Sequence, residues 1–314
     1  MKATLISAFE ARKDKLFFYS PYNFIQDIDR EKQLSLIQSS FLDTKTQLAT
    51  VAVEEEDFFF YQQFLPWDSD YFKVPTYKLL GVLFENTIYS NLQKAVCTFV
   101  DTHISQNQGY YFIEIPSEDT MLIQALTANG FRFVETRLTY FRGNLTDLDI
   151  PQRYEVRKAT KDDTFMLKQV ARNTRNTYDR LHADTNFDVA IADEYLATYV
   201  ENAIKGFADI VLIPNDSNYT SEAFLTANYL KHEWEVLNKN ISKMVLSAVA
   251  PSCKGWYQKL ITEMTYHLRD NGAEYIFMNT QSTNRAVFKI WERLDYQLGS
   301  TSHILALQNF TNNL

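Results

Sequence analysis

Met244-Val-Leu-Ser-Ala-Val-Ala250, Pro251-Ser-Cys-Lys-Gly255 and Trp256-Tyr-Gln-Lys-Leu-Ile261 follow one another with three different characters. The first is a run of apolar and small residues that reads as a strand. The second is a turn opened by proline and closed by glycine, and the third opens a helix. Together they make an anion site, because the first N–H groups of a helix have no carbonyl partner within it and glycine lets a ligand approach the backbone. Asn271-Gly272 then stops the helix, and Glu274-Tyr-Ile-Phe-Met-Asn-Thr280 reads as a second strand. Gln281-Ser-Thr-Asn284 is a polar break, an amphipathic helix runs to Leu294, and a last pair of strands ends at Leu307.

Upstream, Gly143-Asn-Leu-Thr-Asp-Leu-Asp-Ile-Pro151 is a short polar stretch closed by proline, where a boundary is expected. After it the pattern starts afresh. Tyr154 to Ala159 reads as a strand, Thr160-Lys-Asp-Asp163 as a helix cap, and Phe165 to Thr177 as the helix. A second helix is expected from about Asp188 to Ile204 with a stop at Gly206, and strands at Ile210 to Ile213, Ala223 to Leu230 and Met244 to Val249. The aromatic faces at Phe165 to Val170 and Tyr195 to Val200 are most simply core.

Before the boundary, strands are expected at Tyr77 to Phe84, Tyr110 to Ile115 and Phe131 to Phe141, with helices at Asn91 to His103 and Thr120 to Ala128. Residues 1 to about 60 read as helical from Ile25, Ile28, Leu34, Leu36, Ile37 and Phe41, followed by the acidic run Glu54 to Asp57. The fold class is therefore α/β with a mixed sheet of the α+β kind. Three segments are expected: a helical extension over 1–63, a partial α/β half over 64–150, and a complete domain over 151–314. Ala125 to Phe131 leading to Thr136 resembles Glu292 to Tyr296 leading to Thr301, which raises an internal repeat; any helix-turn-strand junction has a similar look.

With 46% hydrophobic and 22% charged residues, 314 residues suffice for one large core or two medium ones. Gly numbers only 8 against 19 Tyr and 23 Phe, so each glycine is expected where the backbone needs it. The two cysteines, Cys97 and Cys253, match no ligand or redox spacing and are expected to be free thiols in a reducing compartment. Charges from Glu10 to Lys15 cut short the apolar N-terminus, so neither signal peptide nor membrane span is expected, and the cytoplasm is the expected address. A net charge of -8 without a basic cluster argues against nucleic acid, though not against one anionic small molecule.

The order strand, glycine turn, helix, strand, polar break, helix resembles the GNAT superfamily of acyl-CoA N-acyltransferases. Their loop pattern is Arg/Gln-x-x-Gly-x-Gly/Ala. Aligned through Leu260-Ile261, this chain reads Ser252-Cys253-Lys254-Gly255-Trp256-Tyr257, which keeps one glycine, replaces the last small residue by Tyr and has Ser in place of the lead Arg/Gln. Phe64-Leu-Pro-Trp-Asp-Ser-Asp-Tyr-Phe72, Thr177-Tyr-Asp-Arg-Leu-His-Ala-Asp184 and Thr280-Gln281-x-x-Asn284 with Tyr296 are similar to segments of the sugar-nucleotide N-acetyltransferases of the dTDP-fucosamine acetyltransferase kind. That resemblance spans roughly residues 64 to 307 and implies a truncated GNAT-like half before a complete catalytic domain. Where that family places a tyrosine acid, position 291 is Trp, and indole has no comparably acidic proton.

The resemblance implies acetyl-CoA as acyl donor, no metal, and a small-molecule amine as acceptor, here an amino sugar nucleotide. Such transfer needs a pyrophosphate cradle, a polar backbone edge for the pantetheine arm, and proton movement. Cys253, Lys254, Gly255, Trp256 and Tyr257 would form the cradle. Val249 and Ala250 would line the arm, with an N–H near Val249 polarising the thioester carbonyl, and Thr280 and Asn284 would complete the donor site. His182 is the expected general base, with His303 its rival, and Tyr257 or a water the expected acid. Trp67, Tyr178, Arg180 and Asp184 are the expected acceptor-binding residues; a turn around a buried ring explains Trp67 better than that role, and a solvated loop explains the other three equally well. Arg172, Arg175 or Arg180 in a closed pocket would suit an anionic sugar nucleotide, and an open acidic groove a protein N-acetyltransferase. A non-catalytic domain binding a ligand or partner is the alternative, and a homodimer is left open.

Overall fold

The computed structural model describes residues 3–150 and 152–310, so Pro151, expected to close the boundary stretch, lies outside the described residues. In chain order the elements are α1 (Ala3–Leu16), α2 (Arg30–Leu42), β1 (Thr46–Val53), β2 (Glu56–Phe64), α3 (Pro66–Phe72), β3 (Thr76–Leu83), α4 (Tyr89–Phe99), β4 (Gly109–Pro116), α5 (Thr120–Ala128) and β5 (Arg132–Arg142). There follow β6 (Val156–Lys158), α6 (Thr164–Asn173), α7 (Arg180–Ala183), α8 (Val189–Asn202), β7 (Ile210–Pro214), β8 (Ala223–Asn228) and α9 (Lys231–Leu237). The last elements are β9 (Ile241–Val249), α10 (Trp256–Asp270), β10 (Tyr275–Gln281), α11 (Arg285–Arg293) and β11 (Gln297–Asn309). The chain divides into two compact units, one of residues up to Arg137 with those from Ser300 onward, the other of Leu138–Gly299.

In the first unit the strand order is β1-β2-β3-β4-β11-β5. The helical reading of residues 1 to about 60 holds as far as Leu42; beyond it the chain makes an antiparallel hairpin, with Glu54 and Glu55 as the turn between Val53 and Glu56. The cause lies in Phe58-Phe59-Phe60-Tyr61, whose side chains alternate between two cores as only a strand allows. Phe60 stacks on Phe99 of α4 at 4.2 Å, and Tyr61 on Phe41 of α2 at 4.6 Å. With both faces covered from Phe58 to Tyr61, the middle of β2 has no solvent side, and burying each of these rings contributes about 2–3 kcal/mol. β3 and β4 run parallel and pair from Thr76 with Tyr110 to Leu79 with Ile113, then part. β11 is one continuous strand rather than the expected pair, because Gly299 and Ser300 stay extended and Ser302 to Asn309 pair with β4.

In the second unit the order is β10-β9-β8-β7-β6, antiparallel except for the parallel pair β9 and β10. Leu260, Ile261 and Met264 of α10 and Trp291 of α11 pack with Leu212, Leu225, Met244 and Ile276. Leu167 and Val170 of α6 and Val200 of α8 pack with the alternate residues Val211, Ile213, Phe224 and Ala248. The period of two along the strands thus puts one helix pair on each face. An unexpected helix, α9, is fastened where the Trp234 indole donates to the carbonyl of Ile241 at 2.6 Å.

The helix stops that suggested a repeat share one geometry. After α5, Gly130 stands at φ 92 and Phe131 N–H returns to the carbonyl of Leu126; after α11, Asp295 stands at φ 57 and Tyr296 N–H returns to Trp291. This left-handed stop with its long return bond also ends α10, at Gly272 and Ala273, so it recurs at three helix-to-strand junctions. Among the described residues no helix is long and apolar enough to cross a membrane.

Candidate functional site

β9 and β10 pair only from Ile241 with Tyr275 to Lys243 with Phe277, although β9 runs on to Val249 and β10 to Gln281. Beyond Lys243 the two strands form a fork. On the β8 side, Ala250 N–H donates to Glu222 and Leu246 N–H to the hydroxyl of Thr226. Alternation along a strand then turns the N–H groups of Ser247 and Val249 to the opposite edge, inside the fork.

The turn after β9 is tied down from below. Pro251–Cys253 form a short 3-10 turn, Cys253 N–H donates to Ala250 and Lys254 N–H to Pro251, and the buried Cys253 thiol donates to the carbonyl of Thr220 at 3.0 Å. Glu222 accepts from the hydroxyls of Thr220 and Ser252 at 2.6 and 2.8 Å, which lowers its pKa. Gly255 caps α10 at φ 93, and a Cβ there would meet nothing within 4 Å. No side chain caps this helix start, so its first N–H groups face the space beside Gly255. Lys254 is exposed; Trp256 is buried edge-on to Tyr219, with its indole nitrogen lacking a partner.

Tyr257 turns the other way. Its hydroxyl accepts the indole N–H of Trp291 at 2.8 Å and also bonds Ser247, so one phenol joins α10, α11 and β9. Burial drives its pKa well up, against the lowering effect of the Trp291 and Ser247 hydrogen bonds, and the phenol stays protonated at neutral pH. Thr280 is buried on β10, and Asn284 caps α11 through its carbonyl, which receives the N–H groups of Val287 and Phe288.

Sequence reasoning missed Asn176, whose amide donates to the side-chain oxygen of Gln281 at the end of β10. This bond ties the loop after α6 to the last residue of β10. Nothing local in the sequence pairs positions 176 and 281. Tyr178 is exposed, Arg180 opens α7, and buried Asp184 receives the N–H of Asn186 at 3.1 Å. Arg172 pairs with Glu194 and Arg175 with Asp193, so both are committed to α8.

His182 is held between two carboxylates. Its Nδ1 lies 2.8 Å from Asp179 and its Nε2 3.1 Å from Asp193, with the side chain buried. Burial lowers its pKa, but the two carboxylates outweigh it and the net shift is upward. Each ring nitrogen thus faces a carboxylate of the chain itself. His303, in the first unit, lies between the hydroxyls of Ser117 and Thr136 at 3.1 and 3.0 Å, with its pKa lowered by burial. Trp67, also in the first unit, is half-exposed on α3 and stacks on Tyr71, while Ser69 donates to Leu65 and accepts from Thr76 N–H. The segment expected as a turn is thus a short helix opened by Pro66. Both cysteines are free thiols, and among the described residues no group of three His, Cys, Asp or Glu could hold a metal.

No family model matches the sequence, and no curated protein matches it. Solved structures do. A GNAT-family acetyltransferase from Colwellia psychrerythraea is 12% identical, with 88% of this chain and 96% of that one covered and a TM-score of 0.50. A GCN5-related N-acetyltransferase from Sphaerobacter thermophilus is 9% identical over 97% and 94%, with a TM-score of 0.51. A region described as a GCN5-related glucosamine N-acetyltransferase, within a fungal multi-domain GH3 beta-N-acetylglucosaminidase, is 12% identical over 95% of this chain and 37% of that one, with a TM-score of 0.53. The forked parallel strands, the glycine turn and the helix that follows are thus parts of a mixed α/β chain with the GNAT fold.

Proposed function

We propose that the second unit is an acyl-CoA-dependent N-acyltransferase with acetyl-CoA as donor and a small-molecule amine as acceptor. The observation that carries this reading is the fork between β9 and β10, with unpaired N–H groups on its β9 edge and an uncapped helix start beyond it. The open space at Gly255 fits a phosphate against the first turn of α10, where the helix dipole adds to the attraction. Lys254, exposed on the same turn, adds a positive charge.

In this reading Val249 N–H donates to the thioester carbonyl oxygen as it gains charge, and Ser247 and Val249 hold the amide-rich arm. Tyr257 gives its proton to the departing sulfur. Because both His182 nitrogens are engaged by Asp179 and Asp193, the amine arrives neutral and its proton passes to solvent after attack. Among acceptors we carry an amino sugar forward, as the resemblance implies; the fungal region bears the same acceptor class in its description. The commitment of Arg172 and Arg175 to α8 takes two cations away from the nucleotide part of that expectation.

The second reading, a non-catalytic binding domain, is favoured by one feature: Tyr257 stands where the family keeps a small residue and is bonded to Trp291. Calorimetric titration with acetyl-CoA separates the two when followed by thiol release with glucosamine as acceptor. Saturable binding lost in Gly255→Glu, with turnover, supports the enzyme. Binding without turnover leaves the binding domain, and no binding at millimolar acetyl-CoA sinks the donor site.

A further inference from the structure

We infer that Trp291 is a positioning residue for Tyr257, and that the acid of this site has moved from α11 to α10; the inference rests on the acyltransferase reading. The indole N–H of Trp291 reaches the Tyr257 oxygen at 2.8 Å, and Trp291 is itself fixed by burial and by an edge contact with Tyr140 at 5.4 Å. Tyr140 in turn donates to Glu292 at 2.9 Å, so the indole cannot swing without breaking a chain of contacts. A phenol oxygen that accepts one strong bond has its own proton left to give, and Ser247, on the fork edge of β9, also bonds this oxygen.

The consequence for the reaction is specific. The amine nitrogen forms a bond to the carbonyl carbon, the carbon–sulfur bond breaks, and the sulfur leaves with the electron pair and takes the proton of Tyr257. The phenolate left behind is stabilised by the Trp291 N–H and regains a proton from solvent, while the proton of the new ammonium is lost to solvent. Trp291 touches neither reactant in this scheme; it holds the phenol oxygen in place and lowers the cost of the phenolate.

The test needs no knowledge of the natural acceptor. Thiol release from acetyl-CoA is followed with glucosamine and with water as acceptors. Tyr257→Phe is expected to lower kcat by about 100-fold and Trp291→Phe by about 10-fold, each with the KM for acetyl-CoA within about twofold. The paired variant Tyr257→Phe with Trp291→Tyr, which returns the hydroxyl to α11, is expected to recover most of the loss. A second readout is independent of turnover: the protein has four tryptophans, so its indole N–H resonances are few enough to assign by substitution. Trp291 is expected to shift in Tyr257→Phe and on addition of coenzyme A, while Trp234 keeps its place. Unchanged kcat in Tyr257→Phe, or a Trp291 resonance indifferent to Tyr257, overturns the inference while the acyltransferase reading stands. A wild-type chain that binds coenzyme A but releases no thiol overturns both.

Discussion

His182 joins α7 to α8 through Asp193, with Nε2 3.1 Å from Oδ1, while Asp179 at the start of its own helix holds Nδ1 at 2.8 Å. Arg175 also reaches Asp193, so the imidazole ring shares that carboxylate with a guanidinium. Because the folded pKa of His182 lies above its ordinary 6.5, this contribution to stability is complete below 6.5 and fades as pH rises through the folded value. The urea midpoint of the second unit is expected to fall across that rise, and the slope to vanish in His182→Asn. His182→Ala should cost about 3 kcal/mol, since two carboxylates lose the cation between them. A pH-independent midpoint would show that the ring is neutral.

The same clamp shapes catalysis. Acyl transfer is expected to rise with pH along the titration of the acceptor amine, with no plateau set by a histidine. Two acceptors of different amine pKa should displace the profile by that difference. A common midpoint near neutrality would point instead to a side-chain base.

At Gly255 two substitutions separate backbone strain from ligand access. φ 93 is unfavourable for any residue with a Cβ, so Gly255→Ala and Gly255→Glu should each cost about 1 kcal/mol. Since nothing stands within 4 Å of the added carbon, Glu should be no more damaging to folding than Ala. Acetyl-CoA binding, by contrast, should survive in Ala and be lost in Glu, as titration of both would show.

Asp163 closes the capping box before α6 with Thr160 and receives both guanidinium branches of Arg157 at 2.7 and 2.8 Å. The Arg157 hydrogen bonds, then those of Thr160, hold its pKa down at about 2 against the opposing effect of burial. Its stabilisation is present above the ordinary carboxylate value and is lost as pH falls toward 2. Arg157 is 37% exposed, so solvent screening leaves about 1 kcal/mol of it. Asp163→Asn should flatten acid unfolding between pH 4 and 2 by that amount.

Glu263 is the firmer anchor of the stretch after residue 151. Buried on α10, it accepts Arg153 Nε and Nη2 at 3.0 and 2.8 Å and Tyr154 N–H at 2.7 Å, while Arg153 lies over the Tyr266 ring. Glu263→Ala should destabilise the second unit by about 3 kcal/mol. Arg153→Ala should cost less, because Tyr154 N–H still satisfies the carboxylate in part; equal losses would show that the cation carries the whole effect.

The elements from Met244 to Leu294 were legible because each announces itself locally: an apolar strand, a glycine turn, a helical period. The pairing that makes a fork was not, since the end of the ladder at Lys243 and Phe277 leaves no mark in either strand. β1 and β2 were misread because the period in α2 suggested continuation, whereas the rings from Phe58 to Tyr61 need partners from α2 and α4 to declare themselves a strand. His182 stands out by residue type; its neighbour Asp193 lies a helix away in sequence, and only the fold shows that both ring nitrogens face carboxylates. Tyr257 and Trp291 each looked like a departure from a pattern. Their hydrogen bond makes them a pair, which single-position comparison cannot detect.

In the first unit β3 and β4 also part after Leu79 and Ile113, and α4 follows β3 as α10 follows β9. There, however, the hairpin turn brings Glu56 against the start of α4, where it accepts from Thr87 and from Asn91 at 3.3 Å, and Glu54 receives Lys94 at 3.0 Å. The helix start that would draw a phosphate already has a carboxylate of its own chain beside it. Titration stoichiometry follows from this: one equivalent of coenzyme per chain, however alike the two forks look.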